Sequence, residues 1–190
     1  MYYRFVKRSF DLVFSIIFFI IFFPLWIIIP ILIKTDSSGR VIFTQKRVGL
    51  GSSYFKIYKF RSMKEGTPDI PTDRIDNQEE LNTRFGTTLR RTSIDEIPQL
   101  YNIMKGEMSF VGPRPALYNQ LELIDLRKKK GVDRIRAGVT GLAQVSGRDS
   151  LTIQKKVEYD LEYIKKMSFF MDLRIIFVTV KALLSGKGGN

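Results

Sequence analysis

The chain of 190 residues contains no histidine and no cysteine. The first absence removes the usual general base near neutral pH. The second removes the thiolate nucleophile and any disulfide, and together they remove imidazole and thiolate metal ligands. Chemistry here must rest on carboxylates, hydroxyls, lysine, tyrosine or a hard cation held by oxygen. Acidic residues are also scarce: 19 Asp and Glu stand against 31 Lys and Arg, a formal net charge of +12. That balance points to anionic partners, whether phosphates, nucleic acid or a membrane surface. A chain without cysteine is compatible with a reducing compartment. No internal repeat is present, and the length suits one domain with a sizeable core.

Charge is missing altogether from Leu12 to Ile33, 22 residues interrupted only by Ser15 and two prolines. As a helix this run reaches ~33 Å, enough to cross a hydrocarbon core. It is too long for the apolar region of a signal peptide, and no small-residue cleavage pattern follows. One reading is a membrane-spanning helix kinked at Pro24. The other is a re-entrant helix that bends at Pro24 and returns. Bases flank both ends (Arg4, Lys7 and Arg8, then Lys34, Arg40, Lys46 and Arg47), and the positive-inside rule asks both to be cytoplasmic.

Val41 to Val48 and Tyr54 to Phe60 are rich in β-branched and aromatic residues around Gly49-Leu50-Gly51-Ser52-Ser53, the pattern of a β-hairpin. Phe55, Ile57 and Lys59 share one face of the second strand. A lysine so placed either snorkels to solvent or is aimed at a phosphate. Residues 64–83, with Gly66, Pro68 and Pro71, read as a long polar loop.

In Arg90-Arg91-Thr92-Ser93-Ile94-Asp95-Glu96-Ile97-Pro98-Gln99-Leu100, two carboxylates stand side by side behind two arginines. Ser93-x-x-Glu96 fits a capping box, which needs no function. Pro98 argues against it, because it falls past the first turn and would cost a backbone hydrogen bond. The helix therefore starts distorted, or later, and ends at Lys105-Gly106. In Gly112-Pro113-Arg114-Pro115 two prolines stiffen the chain around one arginine, which is either a tight connection or a frame for gripping an oxyanion. Ala116 to Lys130 reads as a helix with Leu117, Leu121 and Ile124 on one stripe and Arg127 to Lys130 at its end. Val139 to Arg148 places two glycines, Gly141 and Gly147, around a short strand. Ser150 to Lys166 reads as helical, and Ser168 as the cap of an apolar helix, Phe169 to Leu184, that is either a core helix or an interfacial one.

Four motifs in order carry a resemblance: Lys59-Phe60-Arg61-Ser62-Met63; Arg90 with Ser93 to Leu100; Gly112 to Pro115; and Gly138 to Val145 with Gly147-Arg148. Together they resemble the bacterial sugar transferases, the monotopic phosphoglycosyl transferases, over almost the whole chain. The length resembles the minimal members, without the multi-helix N-terminal extension of larger ones. Phe23 stands where a serine commonly precedes the helix-breaking proline, and Ser146 where asparagine is common.

The resemblance implies transfer of a sugar-1-phosphate from a UDP-sugar to a polyprenol (undecaprenyl) phosphate with release of UMP, the first membrane step of a glycan pathway. Asp95 takes the place of the nucleophile, giving ping-pong kinetics through a phosphosugar-aspartate. Glu96, with Asp95, is the expected ligand of Mg²⁺. Arg90, Arg114 and Arg148, then Lys59, are expected phosphate ligands, and Gln144 joins the substrate-binding set. Asp160 and Asp172 are expected to be structural. The implied fold is α+β and membrane-associated. It comprises a re-entrant helix over residues 1–35 broken at Pro24, and a cytosolic catalytic unit over 36–190 with a hairpin and interfacial helices. The implied location is the inner (cytoplasmic) membrane of a bacterium, with phospholipid as a partner and no nucleic acid. The rivals are a membrane-tethered nucleic-acid-binding module, an aspartyl-phosphate phosphohydrolase on the same dyad, and a non-catalytic assembly protein.

Overall fold

A computed structural model describes residues 2–68, 78–147 and 150–185. The apolar run folds as two helices, α1 (Arg8–Ile21, entered through a wider π turn, Tyr2–Lys7) and α2 (Phe23–Asp36). They meet at Phe22 with a bend of 60°. Pro24 sits in the first turn of α2, where its missing N–H is tolerated; continued helix would have put its ring against the Ile20 carbonyl. No single helix among the described residues is long and apolar enough to cross a membrane; the bent pair meets that test only together.

Helix α1 has its polar stripe on the inside. Lys7, Asp11 and Ser15 follow one another at four-residue spacing and all are buried. Lys7 Nζ lies 2.6 Å from Asp172 Oδ2. Asp11 Oδ1 accepts from Ser109 Oγ at 3.0 Å and from the Phe110 amide at 3.1 Å. Arg8 donates to the Ile103 and Met104 carbonyls at 2.7 and 2.9 Å, in the last turn of another helix. The opposite face of α1, including Phe14, Ile17 and Ile20, is exposed, as are Ile28 and Ile31 of α2. The inner face of α2, Ile29 and Ile33, packs with Phe60 and Leu89.

The hairpin is present: β1 (Ile42–Val48) and β2 (Tyr54–Phe60) pair antiparallel, with Gln45 opposite Ile57. Residues 82–83 and 62–64 run alongside one another through Met63 and Asn82, after a short helix α3 (Gln78–Leu81). Thus the stretch expected to be loop is partly structured; residues 69–77 lie outside the described residues. Helix α4 (Arg84–Arg91) is capped by Thr83, whose Oγ1 accepts from the Gly86 amide at 3.0 Å. Helix α5 (Gln99–Lys105) ends at Gly106, which takes the left-handed conformation at φ 81°.

Two short strands, β3 (Met108–Val111) and β5 (Ala137–Thr140), pair in parallel. Between them lies β4 (Ala116–Leu117), which joins the hairpin in the order β2-β1-β4. This corrects the expected helix over 116–130. Helix α6 covers only Leu121–Lys130, because Ala116 and Leu117 are taken up by pairing with Val48 and Arg47. The stripe shifts accordingly: Leu121 is exposed and Leu123 is the buried residue. The chain closes with α7 (Leu142–Ser146), α8 (Ile153–Lys166, capped by Thr152) and α9 (Phe169–Leu184, capped by Ser168). Strands and helices fit the α+β class. Asp160 and Asp172 are both buried in partnerships, Asp160 with Arg127 at 2.7 Å and Asp172 with Lys7 and the Tyr163 hydroxyl.

Candidate active site

Ser93 does not cap a helix. It adopts the left-handed conformation at φ 54° and its side chain makes no capping bond, so the capping-box reading is incorrect. The turn it creates ends α4 and starts a single 3₁₀ turn, Ile94–Glu96; the α-helix begins only after Pro98. Serine tolerates φ > 0 poorly, so this is a strained backbone at the residue that aims the two carboxylates.

Asp95 is 5% exposed, and Glu96 beside it is half-buried. Lys59 reaches them from the inner face of β2, the face it shares with Phe55 and Ile57. Its Nζ is 2.6 Å from Glu96 Oε1 and 4.0 Å from Asp95 Oδ2. Lys59 does not snorkel to solvent; in this structure its ammonium meets the Glu96 carboxylate. Arg114, whose side chain is nearly half exposed, approaches the same oxygen at 3.9 Å. Arg90 projects from the last turn of α4 toward Met63 Sδ, 3.7 Å from its Nη1.

Burial pushes the Asp95 carboxyl up to about 6, and the neighbouring Glu96 charge adds to that. Lys59, Arg90 and Arg114 pull it back down, but desolvation wins. A carboxylate left near 6 is mostly ionised at neutral pH while poorly solvated. That combination suits a nucleophile more than a solvated surface acid.

Backbone contacts hold Arg114. The Gly112 amide donates to Thr140 O and the Gly138 amide to Pro113 O, both at 2.9 Å. A Cβ on Gly138 would overlap the Gly112 amide, so this approach requires glycine. Arg127, itself held by Asp160, donates to Arg114 O at 2.7 Å, and Arg47 donates to Pro115 O at 3.0 Å. Nothing in the local sequence marks Arg47 or Arg127 for this role; it depends on contacts far apart in the chain.

The dyad opens into a cleft of about 1060 Å³. Lys59, Arg90, Arg114 and Gln144 all line it. Gln144 stands on another part of the wall. Its Nε2 donates to Val139 O at 3.0 Å, and its Oε1 is buried without a hydrogen-bond partner among the described residues. The structure thus brings Asp95, Glu96, Lys59 and Arg114 together, sets Arg90 close by, and places Gln144 elsewhere in the same cleft. Arg148 lies outside the described residues. Pro24 does not line the cleft; its neighbours Phe22 and Leu25 do.

Among the described residues no group of three or more acidic side chains could hold a metal ion. Two adjacent carboxylates facing a cationic cleft are a different donor set. It matches a small hard cation that shares one or two carboxylates with phosphate oxygens and water, as Mg²⁺ does.

The family model of the bacterial sugar transferases matches residues 2–186. The chain is 39% identical over 188 residues to an undecaprenyl-phosphate glucose phosphotransferase of Komagataeibacter xylinus, covering 92% of this chain and 35% of that protein. It is 37% identical over 193 residues to a UDP-N-acetylgalactosamine-undecaprenyl-phosphate N-acetylgalactosaminephosphotransferase of Aeromonas hydrophila, covering 99% and 46%. With the exopolysaccharide production protein ExoY of Rhizobium meliloti it shares 36% over 198 residues, covering 96% and 87%. The chain therefore spans less than half of the first two relatives and most of the third.

Proposed function

The chain belongs to the bacterial sugar transferase family, and from that membership we propose that it transfers a sugar-1-phosphate from a UDP-sugar to a polyprenol phosphate, releasing UMP. The observation that carries this reading is the buried, ionisable Asp95, lining one large cleft with Lys59, Arg90 and Arg114 around it.

An Asp95 carboxylate oxygen attacks the phosphorus next to the sugar. The bond from that phosphorus to the UMP oxygen breaks and UMP leaves. A phosphate oxygen of the polyprenol phosphate then attacks the same phosphorus, and the aspartyl bond breaks to return the carboxylate. Each step brings an anion toward an anion, and the fixed charges of Lys59, Arg90 and Arg114 offset that repulsion without reorganising. Lys59 also holds the Glu96 carboxylate in place. Mg²⁺ is the proposed cofactor, held by Asp95 and Glu96; when bound it would neutralise diphosphate charge. Arg148 and Gln144 remain in the proposed substrate-binding set.

The bent pair α1–α2 is proposed as re-entrant, with both ends on the cytoplasmic side of a bacterial inner membrane. Its exposed apolar faces and the charge at both ends support this. The test is UMP release from a panel of UDP-sugars with Mg²⁺, with and without undecaprenyl phosphate, beside Asp95→Asn. Sustained release that needs lipid and vanishes in the variant is the expected result. Release that continues without lipid would make the protein a phosphohydrolase, and full activity of Asp95→Asn would remove the nucleophile assignment.

A further inference from the structure

The cleft that holds the dyad has two kinds of wall. Basic side chains enter it from β1, from the 112–115 loop and from α6 and α8, among them Arg47, Arg114, Arg127 and Lys156. An apolar part of the lining comes from other elements: Phe18 and Phe22 of the first helix and its bend, Phe110 and Val139 of the parallel strand pair, and Val180 and Leu183 of α9. These apolar elements are contiguous. Phe18 meets Phe110 edge-on at 5.8 Å between ring centroids, and Thr140, next to Val139, is tied to Thr179 of α9 by a 2.7 Å hydroxyl contact. Ile97, next in sequence to Glu96, lines the same cleft.

The apolar wall also continues outward. Val180 of α9 is 47% exposed although it lines the cleft, and Ile17 and Ile21 face outward from α1. A trough that begins at two carboxylates and runs out between exposed apolar helix faces suits a ligand with an anionic head and a hydrocarbon tail. A wholly water-soluble ligand gains nothing from it.

Resting on the transferase reading, we propose that this trough, between α1 and α9 over Phe110 and Val139, seats the first isoprene units of the lipid phosphate acceptor, with Val180 and Leu183 as chain-contacting residues. The nucleotide donor then takes the basic wall, and the two substrates approach Asp95 from different elements.

The test separates the two half-reactions. Exchange of labelled UMP into UDP-sugar without lipid reads the donor half alone; the KM for undecaprenyl phosphate reads the acceptor. Val180→Ser and Leu183→Ser are expected to raise that KM roughly tenfold, with the exchange rate unchanged. Phe177→Ser, on the same helix and exposed but outside the cleft, is the control and is expected to leave both unchanged. An unaltered acceptor KM in both trough variants, or an equal rise in Phe177→Ser, overturns the proposal, since either result reduces α9 to a general membrane contact.

A second measurement depends on neither turnover nor altered folding. A prenyl phosphate bearing a diazirine on its first isoprene unit is expected to label α1 near Phe18–Phe22 and α9 near Val180–Leu183 in the unmodified protein. Labelling confined to other segments overturns the proposal. If no UDP-sugar supports exchange, the transferase reading fails, while the labelling pattern still decides the trough.

Discussion

Lys59 Nζ and Glu96 Oε1 stand 2.6 Å apart, and the lysine arrives at that position on the apolar face of a β-strand. Strand alternation puts Phe55 and Ile57 into the core and carries Lys59, two residues further on, to the edge of the same core. A cation delivered this way is stiff, because the packing of its neighbours fixes its stem. Lys59→Met should lower lipid-dependent UMP release by about 10²-fold, comparable to losing one preorganised charge contact. It should also cost about 1–3 kcal/mol in stability, since Glu96 keeps only the longer Arg114 contact among the two ion pairs described for it. Lys59→Arg should restore much of the stability and little of the rate, because a planar fork cannot reproduce the contact of one ammonium. Thermal unfolding in detergent beside steady-state rates checks both parts.

Asp95 makes the protein sensitive to pH in two opposite ways. As a nucleophile it must be ionised. The donor half-reaction should therefore rise about tenfold per pH unit below about 6 and level off above it. For folding the sign reverses. The native carboxyl holds its proton up to about 6, above its ordinary value of 3.8, so the folded state binds more protons between those values. This group's contribution to stability is then full below 3.8 and is lost as pH rises through about 6. Asp95→Asn should be inactive yet more stable than the parent at pH 7.5, by on the order of 1–2 kcal/mol, with the difference shrinking toward pH 4. Unfolding midpoints at the two pH values read the sign directly.

The buried pair of Lys7 and Asp172 joins the first helix to the last. Removing one partner breaks a buried ion pair, while Asp172 keeps the Tyr163 hydroxyl and Lys7 keeps the nearby Asp11 charge, so the cost is on the order of 3 kcal/mol. Lys7→Met and Asp172→Asn should each destabilise on that scale. The double variant should be less damaged than the sum, because it removes both charges of the pair at once, while each single variant leaves one of them behind. A double-mutant cycle by thermal unfolding measures the coupling.

The re-entrant arrangement of α1 and α2 has a simple test in a chain without cysteine. Phe5→Cys and Ser38→Cys stand at opposite ends of the bent pair. In inside-out membrane vesicles both should react with a membrane-impermeant maleimide, and in right-side-out vesicles neither should. Opposite labelling of the two would make the pair a kinked crossing.

The sequence displayed what depends on local rules. The hairpin followed from alternation around a glycine loop, the end of α5 from Lys105-Gly106, and the last helix from Ser168 as its cap. The dyad was visible because adjacent carboxylates behind arginines are unusual, and Pro98 already argued that α5 starts late. What stayed hidden depends on partners far away in the chain. Nothing in the sequence around Asp11 marks a partner, yet it accepts from Ser109 and the Phe110 amide. Ala116 and Leu117 continue a helical pattern, and only the edge of β1 makes them a strand. Ser93 has no sequence signature for a left-handed backbone; the turn between α4 and the dyad imposes it.

Gly112 and Gly138 meet backbone to backbone, and this contact fixes the position of Arg114. A position defined by missing atoms cannot be adjusted by degrees, since the smallest side chain already collides. The arginine loop is therefore the part of the cleft least open to retuning. A change of donor preference, by divergence or by engineering, has to enter through side chains elsewhere on the cleft wall, where a methylene can be added or removed without moving the chain. Libraries that randomise the wall and leave the two glycines alone should keep folded, charge-competent proteins, while those that include either glycine should lose most members to misfolding before selectivity is tested.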